Sequence, residues 1–201
     1  MDRCAQKDQD IWNDFIGGSQ EAFRQLYEQY ADLLYAFGLK YTRDEELLKD
    51  CIHDLFVDLH TYRRNLSLAM NVRYYLLRSL KRKMNAAFKR SSRDLDYPQG
   101  EFVLVCSAEE VILTDEQQLE TLRLLAGEMN RLPARQKEAL YLKFHQELDY
   151  DEVAALMKIS VPTCRTLVYR GIKQLRLNLK EQPVYPVLLL LFRAARPEKT
   201  Q

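Results

Sequence analysis

Residues 149–176 read DYDEVAALMKISVPTCRTLVYRGIKQLR, and the apolar spacing within them writes two short helices joined by a few residues. Asp149 followed three residues later by Glu152 is a capping-box pattern, after which Val153, Ala154, Leu156 and Met157 supply an apolar face. The small Ala154 and Ala155 let another helix come close. Beyond Lys158 and Ile159, Ser160 is placed to cap a second helix, and Pro162 is tolerated because first-turn positions have no intrahelical N–H bond to lose. Along that helix Cys164, Leu167, Val168, Gly171, Ile172 and Leu175 recur at spacings of three and four, which makes them the inner face. Thr163, Arg165, Thr166, Tyr169, Arg170, Lys173 and Arg176 are left facing outward, with no carboxylate among them. A solvated face usually mixes charge signs; this one offers cations for phosphates and hydroxyls for backbone or base edges. The pattern is that of a helix-turn-helix, whose second helix enters the major groove of DNA.

Helical spacing continues through most of the chain, as in Phe23, Leu26, Tyr27, Tyr30, Leu33, Leu34 and Phe37, whereas alternating runs are scarce. An all-α fold is expected. Ser19, after Gly17 and Gly18, is placed to cap one helix, and Asp44 to start another running through DEELLKDCIHDLFVDLHTYRR. With 201 residues, 47% hydrophobic and 29% charged, the composition is that of a soluble globular protein of one ordinary domain or two small ones.

The formal net charge of +1 conceals strong segregation. No acid lies between Asp58 and Asp94, where Arg63, Arg64, Arg73, Arg78, Lys81, Arg82, Lys83, Lys89, Arg90 and Arg93 all fall. From Asp94 to Asn130 the sign inverts, with Arg123 the one cation among nine acids, and between Glu152 and Glu181 acids vanish again. Two basic modules joined by an acidic connector is the simplest description. Pro98 and Gly100 interrupt the periodicity where the sign flips, which sets the modules at residues 1–95 and 115–182, the connector at 96–114 and a tail at 183–201. The tail holds the longest apolar run, Val184 to Phe192, far short of the roughly 20 residues a membrane span requires.

Cys4, Cys51, Cys106 and Cys164 stand far apart, without a C-x-x-C pair and with only His53, His60 and His145 to complete a metal site. Reduced thiols, no metal and no cofactor are expected. The opening MDRCAQKDQDIWNDF has no apolar core of a secretory signal, so a cytoplasmic location is expected. No nucleophile, metal cluster or spaced carboxylate pair points to an enzyme.

With LPARQKEALYLKFHQELDYDEVAALMKISVPTCRTLVYRGIKQLR in view, residues 132–176, the chain resembles the carboxyl-terminal DNA-binding domain, region 4, of bacterial sigma factors of the extracytoplasmic function group. Residues 17–66, GGSQEAFRQLYEQYADLLYAFGLKYTRDEELLKDCIHDLFVDLHTYRRNL, are similar to the first conserved domain, region 2, in the AF-x-x-LY helix and the helix that follows it. The resemblance implies two small helical domains and a protein that binds core RNA polymerase, directs it to promoter DNA and assists melting. It implies core contacts from Asp50, Asp54 and Asp58, which share one helical stripe, and from His53, which stands where the family usually has glutamine.

The next helix, residues 71–90, is similar to the element that melts and reads the minus-ten region. Arg78, Lys81, Arg82, Lys89 and Arg90 can follow phosphates, and Tyr74, Tyr75 or Phe88 can stack on unpaired bases, with Tyr75 and Phe88 also candidates for the core. The resemblance makes the loop before it a cradle for a flipped base, with Asn65, Ser67 and Asn71 as candidates. Thr163, Arg165, Thr166, Tyr169, Arg170 and Lys173 become the minus-35 contacts. An anti-sigma protein, often membrane-bound, is the partner the family implies. The rival readings are a stand-alone helix-turn-helix regulator, which needs a receiver or ligand domain the front half does not write, and a helical adaptor using its charged blocks on proteins.

Overall fold

The computed structural model describes residues 3–68, 71–91, 102–104 and 116–178, and among these there is no strand. Its helices are α1 (Arg3–Ile16), α2 (Gln20–Gly38), α3 (Glu45–Thr61), α4 (Val72–Ser91), α5 (Glu116–Arg131), α6 (Ala134–Leu140), α7 (Tyr150–Met157) and α8 (Val161–Asn178). A 3-10 turn, Arg63–Asn65, follows α3, and a π-helical turn, Tyr141–His145, continues α6. The chain divides into two compact units, Met1–Glu101 and Phe102–Gln201. The acidic stretch 105–115 and the apolar run Val184–Phe192 lie outside the described residues.

In the first unit, local chemistry sets the helix starts. The Ser19 hydroxyl accepts the Ala22 N–H at 3.2 Å, and the Asp44 carboxylate accepts that of Leu47 at 3.0 Å, each satisfying a first-turn donor. Gly18, at φ 102°, reverses the chain between α1 and α2. The core is Trp12 and Phe15 from α1, Leu26, Tyr30, Leu34 and Phe37 from α2, Leu48, Leu55 and Phe56 from α3, and Leu76, Leu77, Leu80 and Met84 from α4. Burying each such side chain contributes about 1.5–3 kcal/mol before the entropy of ordering it. Gly38 ends α2 against α3, where a Cβ would stand 2.1 Å from Leu48 Cδ1. The two helices therefore meet at a distance only glycine permits.

In the second unit α6, α7 and α8 pack together with α5 against α8. Glu152 reaches back to the Asp149 N–H at 2.9 Å, as the capping-box pattern requires. α7 stops at Lys158, which is left-handed at φ 54°, ψ 49°. The Ile159 N–H bonds to Ala154 O at 3.0 Å and the Lys158 N–H to Ala155 O at 3.3 Å, a Schellman closure built on lysine where glycine is usual. Ser160 then caps α8 through the Thr163 N–H at 3.3 Å. Cys164, Val168, Ile172 and Leu175 are buried as expected of the inner face, while Leu167 is only half-buried. Gly171 lets α8 lie on Leu140, whose Cδ1 would be 2.9 Å from an added Cβ.

Phe102 and Leu104 fall within the stretch read from sequence as connector, yet both are buried in this unit. The Phe102 ring lies 5.5 Å from Tyr141, and the Leu104 carbonyl accepts from Lys137 Nζ at 3.5 Å. No helix among the described residues is long and apolar enough to cross a membrane.

Candidate nucleic-acid interface

On α8, Thr163, Arg165, Thr166, Tyr169, Arg170, Lys173 and Arg176 are all exposed, as are Pro162, Gln174 and Leu177, and Tyr169 is 65% exposed despite its aromatic ring. The two threonines are held locally. Thr163 Oγ1 lies 2.7 Å from the Ser160 hydroxyl, and Thr166 Oγ1 donates to the Pro162 carbonyl at 2.9 Å. The Arg165 guanidinium sits 5.3 Å from the centroid of Tyr150, the first residue of α7, and Lys143 Nζ lies 5.0 Å from the same ring. One tyrosine thus seats two cations, which orders Arg165 before any ligand arrives. Arg135 donates to the Met157 carbonyl at 3.4 Å, helping to close the end of α7. Tyr150, Lys143 and Arg135 were not among the sequence-predicted residues, because these contacts join separate helices. Burial pushes the Cys164 thiol above its ordinary pKa, consistent with a purely structural place beneath this face.

In the first unit, Arg78, Arg82, Lys89 and Arg90 are exposed on α4, and Arg78, Arg82 and Lys89 follow one another along one face. Arg78 lies over the half-buried Tyr74, 5.9 Å from its centroid, with Nη1 3.4 Å from the tyrosine hydroxyl. Lys81 is placed differently from these cations: it is half-buried, and its Nζ donates to Tyr41 OH at 3.2 Å. Lys83, not singled out from sequence, makes a 2.6 Å ion pair with Asp58.

The loop before α4 is built from both ends. Its start is the 3-10 turn, where the Asn65 N–H bonds to Tyr62 O at 2.9 Å, and near its end Asn71 Oδ1 accepts the Tyr74 N–H at 3.1 Å. Asn65, Ser67 and Asn71 are all exposed. Between these ends Trp12 Nε1 donates to the Ser67 carbonyl at 3.0 Å, and Gln9 Nε2 donates to that of Leu68.

α3 carries Asp50, His53 and Asp54 exposed, while Asp58 is half-buried by its pairing with Lys83. The stripe of carboxylates is therefore free in its first two turns and neutralised at its end. Beside it lie Val57, 47% exposed, and Tyr27, 49% exposed, whose ring is 4.8 Å from Phe56. The exposure of Tyr27 was not expected from a helical period that placed it among the apolar residues of α2. Among the described residues no group of three or more His, Cys, Asp or Glu side chains could hold a metal ion.

The family model for sigma-70 region 2 matches residues 26–94, and that for sigma-70 region 4 matches residues 122–175. The chain belongs to the sigma-70 family. It is similar to the ECF RNA polymerase sigma factor SigM of Bacillus subtilis (strain 168), with 22% identity over 156 residues, 76% of this chain and 91% of that protein. Among solved structures it is similar to CnrH in complex with the cytosolic domain of CnrY, at 19% identity and a TM-score of 0.50, covering 88% of this chain and 99% of that one. It is likewise similar to the sigma factor RpoE in complex with the anti-sigma factor NepR from Bartonella quintana, at 18% identity and a TM-score of 0.53, covering 80% and 98%. At these identities the structural likeness is one of fold. Within the family this is a sigma factor of the extracytoplasmic function type, one that serves RNA polymerase in transcription initiation.

Proposed function

We propose that the first unit engages core RNA polymerase and the minus-ten element while the second places α8 on the minus-35 element. The observation that carries this reading is the outward face of α8, whose exposed residues include no carboxylate, with Arg165 seated on Tyr150. Such a face tracks phosphates and presents an arginine to base edges. Asp50, His53 and Asp54, exposed on α3, form the polymerase contact, and Asp58 contributes at its paired end. Asn65, Ser67 and Asn71 receive the flipped base, with Tyr74 offering a stacking face and Arg78, Lys81, Arg82, Lys89 and Arg90 holding the strand. Residues 1–95 serve as region 2, 96–114 as linker and 115–182 as region 4.

The mechanism is binding rather than catalysis: preformed cations and hydrogen-bonding groups stabilise the opened strand, and no group of the protein changes covalently. The protein works in the cytoplasm, where polymerase and promoters are. An anti-sigma protein holds it until induction; the two solved relatives above, each in complex with such a partner or a cytosolic domain, support this expectation.

The test is run-off transcription by purified bacterial core polymerase across a pool of native promoter fragments, with and without the protein. Discrete new start sites sharing two sequence elements are expected. Failure to bind core would overturn the reading.

A further inference from the structure

We propose that Trp12, assisted by Gln9, is a positioning residue for minus-ten recognition: from α1 the two donors hold successive carbonyls of the Asn65–Asn71 loop and so preset the groups that meet the flipped base. This rests on the reading of that loop given above. Trp12 is fully buried, and its indole N–H, the one polar atom of the side chain, donates to the Ser67 carbonyl at 3.0 Å. Gln9, one helical turn earlier, donates to the Leu68 carbonyl and to Asn13 Oδ1 at 3.1 Å. With both carbonyls turned toward α1, the side chains of Ser67 and Leu68 stand in solvent, and Leu68 is 59% exposed despite being apolar. The indole also meets Tyr75 of α4 edge-on at 5.5 Å between centroids and Phe15 at 5.7 Å. One ring therefore ties the loop to the helix that carries Arg78 and Arg82.

The physical consequence is preorganisation. Among the described residues, the loop's own anchors are the 3-10 turn and the Asn71 cap at its ends; the two donors of α1 hold Ser67 and Leu68 between them, so less of the loop is left to be ordered on binding. A tryptophan serving only as core would need some acceptor for its N–H, and many would serve. Here the acceptor is a backbone atom of the loop itself, 55 residues away, with a second donor on the adjacent carbonyl.

Trp12→Phe keeps a ring against Tyr75 and Phe15 and removes the N–H. Full-length protein with core polymerase is assayed on its native promoter and on variants substituted at each minus-ten and minus-35 position, alongside Gln9→Ala, Asn65→Ala and Ser67→Ala. Trp12→Phe is expected to reduce discrimination among minus-ten bases by about three- to tenfold, the range of one lost hydrogen bond, while minus-35 discrimination and core affinity hold. Gln9→Ala should move the same readout in the same direction. If Asn65→Ala or Ser67→Ala flattens minus-ten preference and Trp12→Phe and Gln9→Ala leave it intact, the positioning role is overturned while the loop reading stands. If neither loop variant matters, the loop reading falls and takes this one with it. Equal losses at both promoter elements would mark Trp12 as merely structural. Should Trp12→Phe not fold, Gln9→Ala decides alone by the same comparison.

Discussion

Replacing Gly38 by alanine tests how closely α2 and α3 must approach. The added methyl would stand 2.1 Å from Leu48 Cδ1 and 2.9 Å from Cδ2, against the 3.4 Å and more of ordinary contact. Leu48 is fully buried, so its branches have to move by more than an ångström into neighbours that are themselves packed. Overpacking of this kind costs about 1–3 kcal/mol, and the gain from alanine's helix propensity, at most about 1 kcal/mol, is small at the last residue of a helix. A net loss of about 2 kcal/mol from the first unit is expected.

The molecule carries one tryptophan, Trp12, buried in that same unit, so its fluorescence during urea unfolding reports this unit alone. Leu48→Ala by itself should cost about 2–5 kcal/mol through the cavity it leaves. Combined, the two changes should lose about 1–2 kcal/mol less than their sum, because the new methyl enters space the leucine vacated. Unchanged stability in Gly38→Ala would refute the close-approach reasoning, and a strictly additive pair would show that Leu48 is not what the methyl strikes.

Asp50→Ala with Asp54→Ala should weaken core affinity at least tenfold with Trp12 fluorescence unfolding unchanged, whereas Asp58→Ala, whose carboxylate already serves Lys83, should weaken it less; titration of labelled protein with core separates the two. Arg165→Ala should cost about 1–3 kcal/mol of base discrimination confined to the minus-35 element, and Tyr150→Leu, which removes the seat but not the charge, a smaller part of it; equal transcription from minus-35 variants would show that Arg165 reads nothing. The Cys51 and Cys164 thiols, both raised above the ordinary range by burial, should remain protonated near pH 8 and resist iodoacetamide until urea unfolds the protein, as peptide mass mapping of the alkylated sites would record. Each thiol's contribution to stability is then present at lower pH and lost as pH rises from the ordinary thiol range through the raised value.

What could be read from the chain before its structure was mostly local. Ser19, Asp44, Glu152 and Ser160 cap helices within three residues of themselves, so a short window contains the whole interaction. The outward face of α8 was legible for the same reason: period 3.6 alone decides which side chains point away from Cys164, Val168 and Leu175. Long-range partners were not legible. Lys81 looked like its neighbours until Tyr41, 40 residues earlier, drew its ammonium inward. Asp58 looked like Asp50 and Asp54 until Lys83 paired with it. Phe102 and Leu104 sit in a short segment beside acids and turn formers, with too few residues to set up any period, so composition placed them in a connector while packing places them against the second unit.

The Asp58–Lys83 pair also bears on how the two surfaces proposed for the first unit can lie side by side. α3 and α4 pack against each other, the first exposing carboxylates and the second exposing guanidinium groups. Were those faces continuous, the acids would repel the phosphates that the bases attract, at a range of about 8 Å in physiological salt. At their junction Asp58 of α3 is matched by Lys83 of α4, at 2.6 Å, with the Lys83 side chain only 20% exposed. In the proposed reading, neutralisation at that seam leaves Asp50 and Asp54 to polymerase and Arg78 and Arg82 to DNA. Asp58→Lys should therefore disturb both activities together, while Asp50→Lys should disturb core binding alone, which titration with core and single-stranded minus-ten DNA can tell apart.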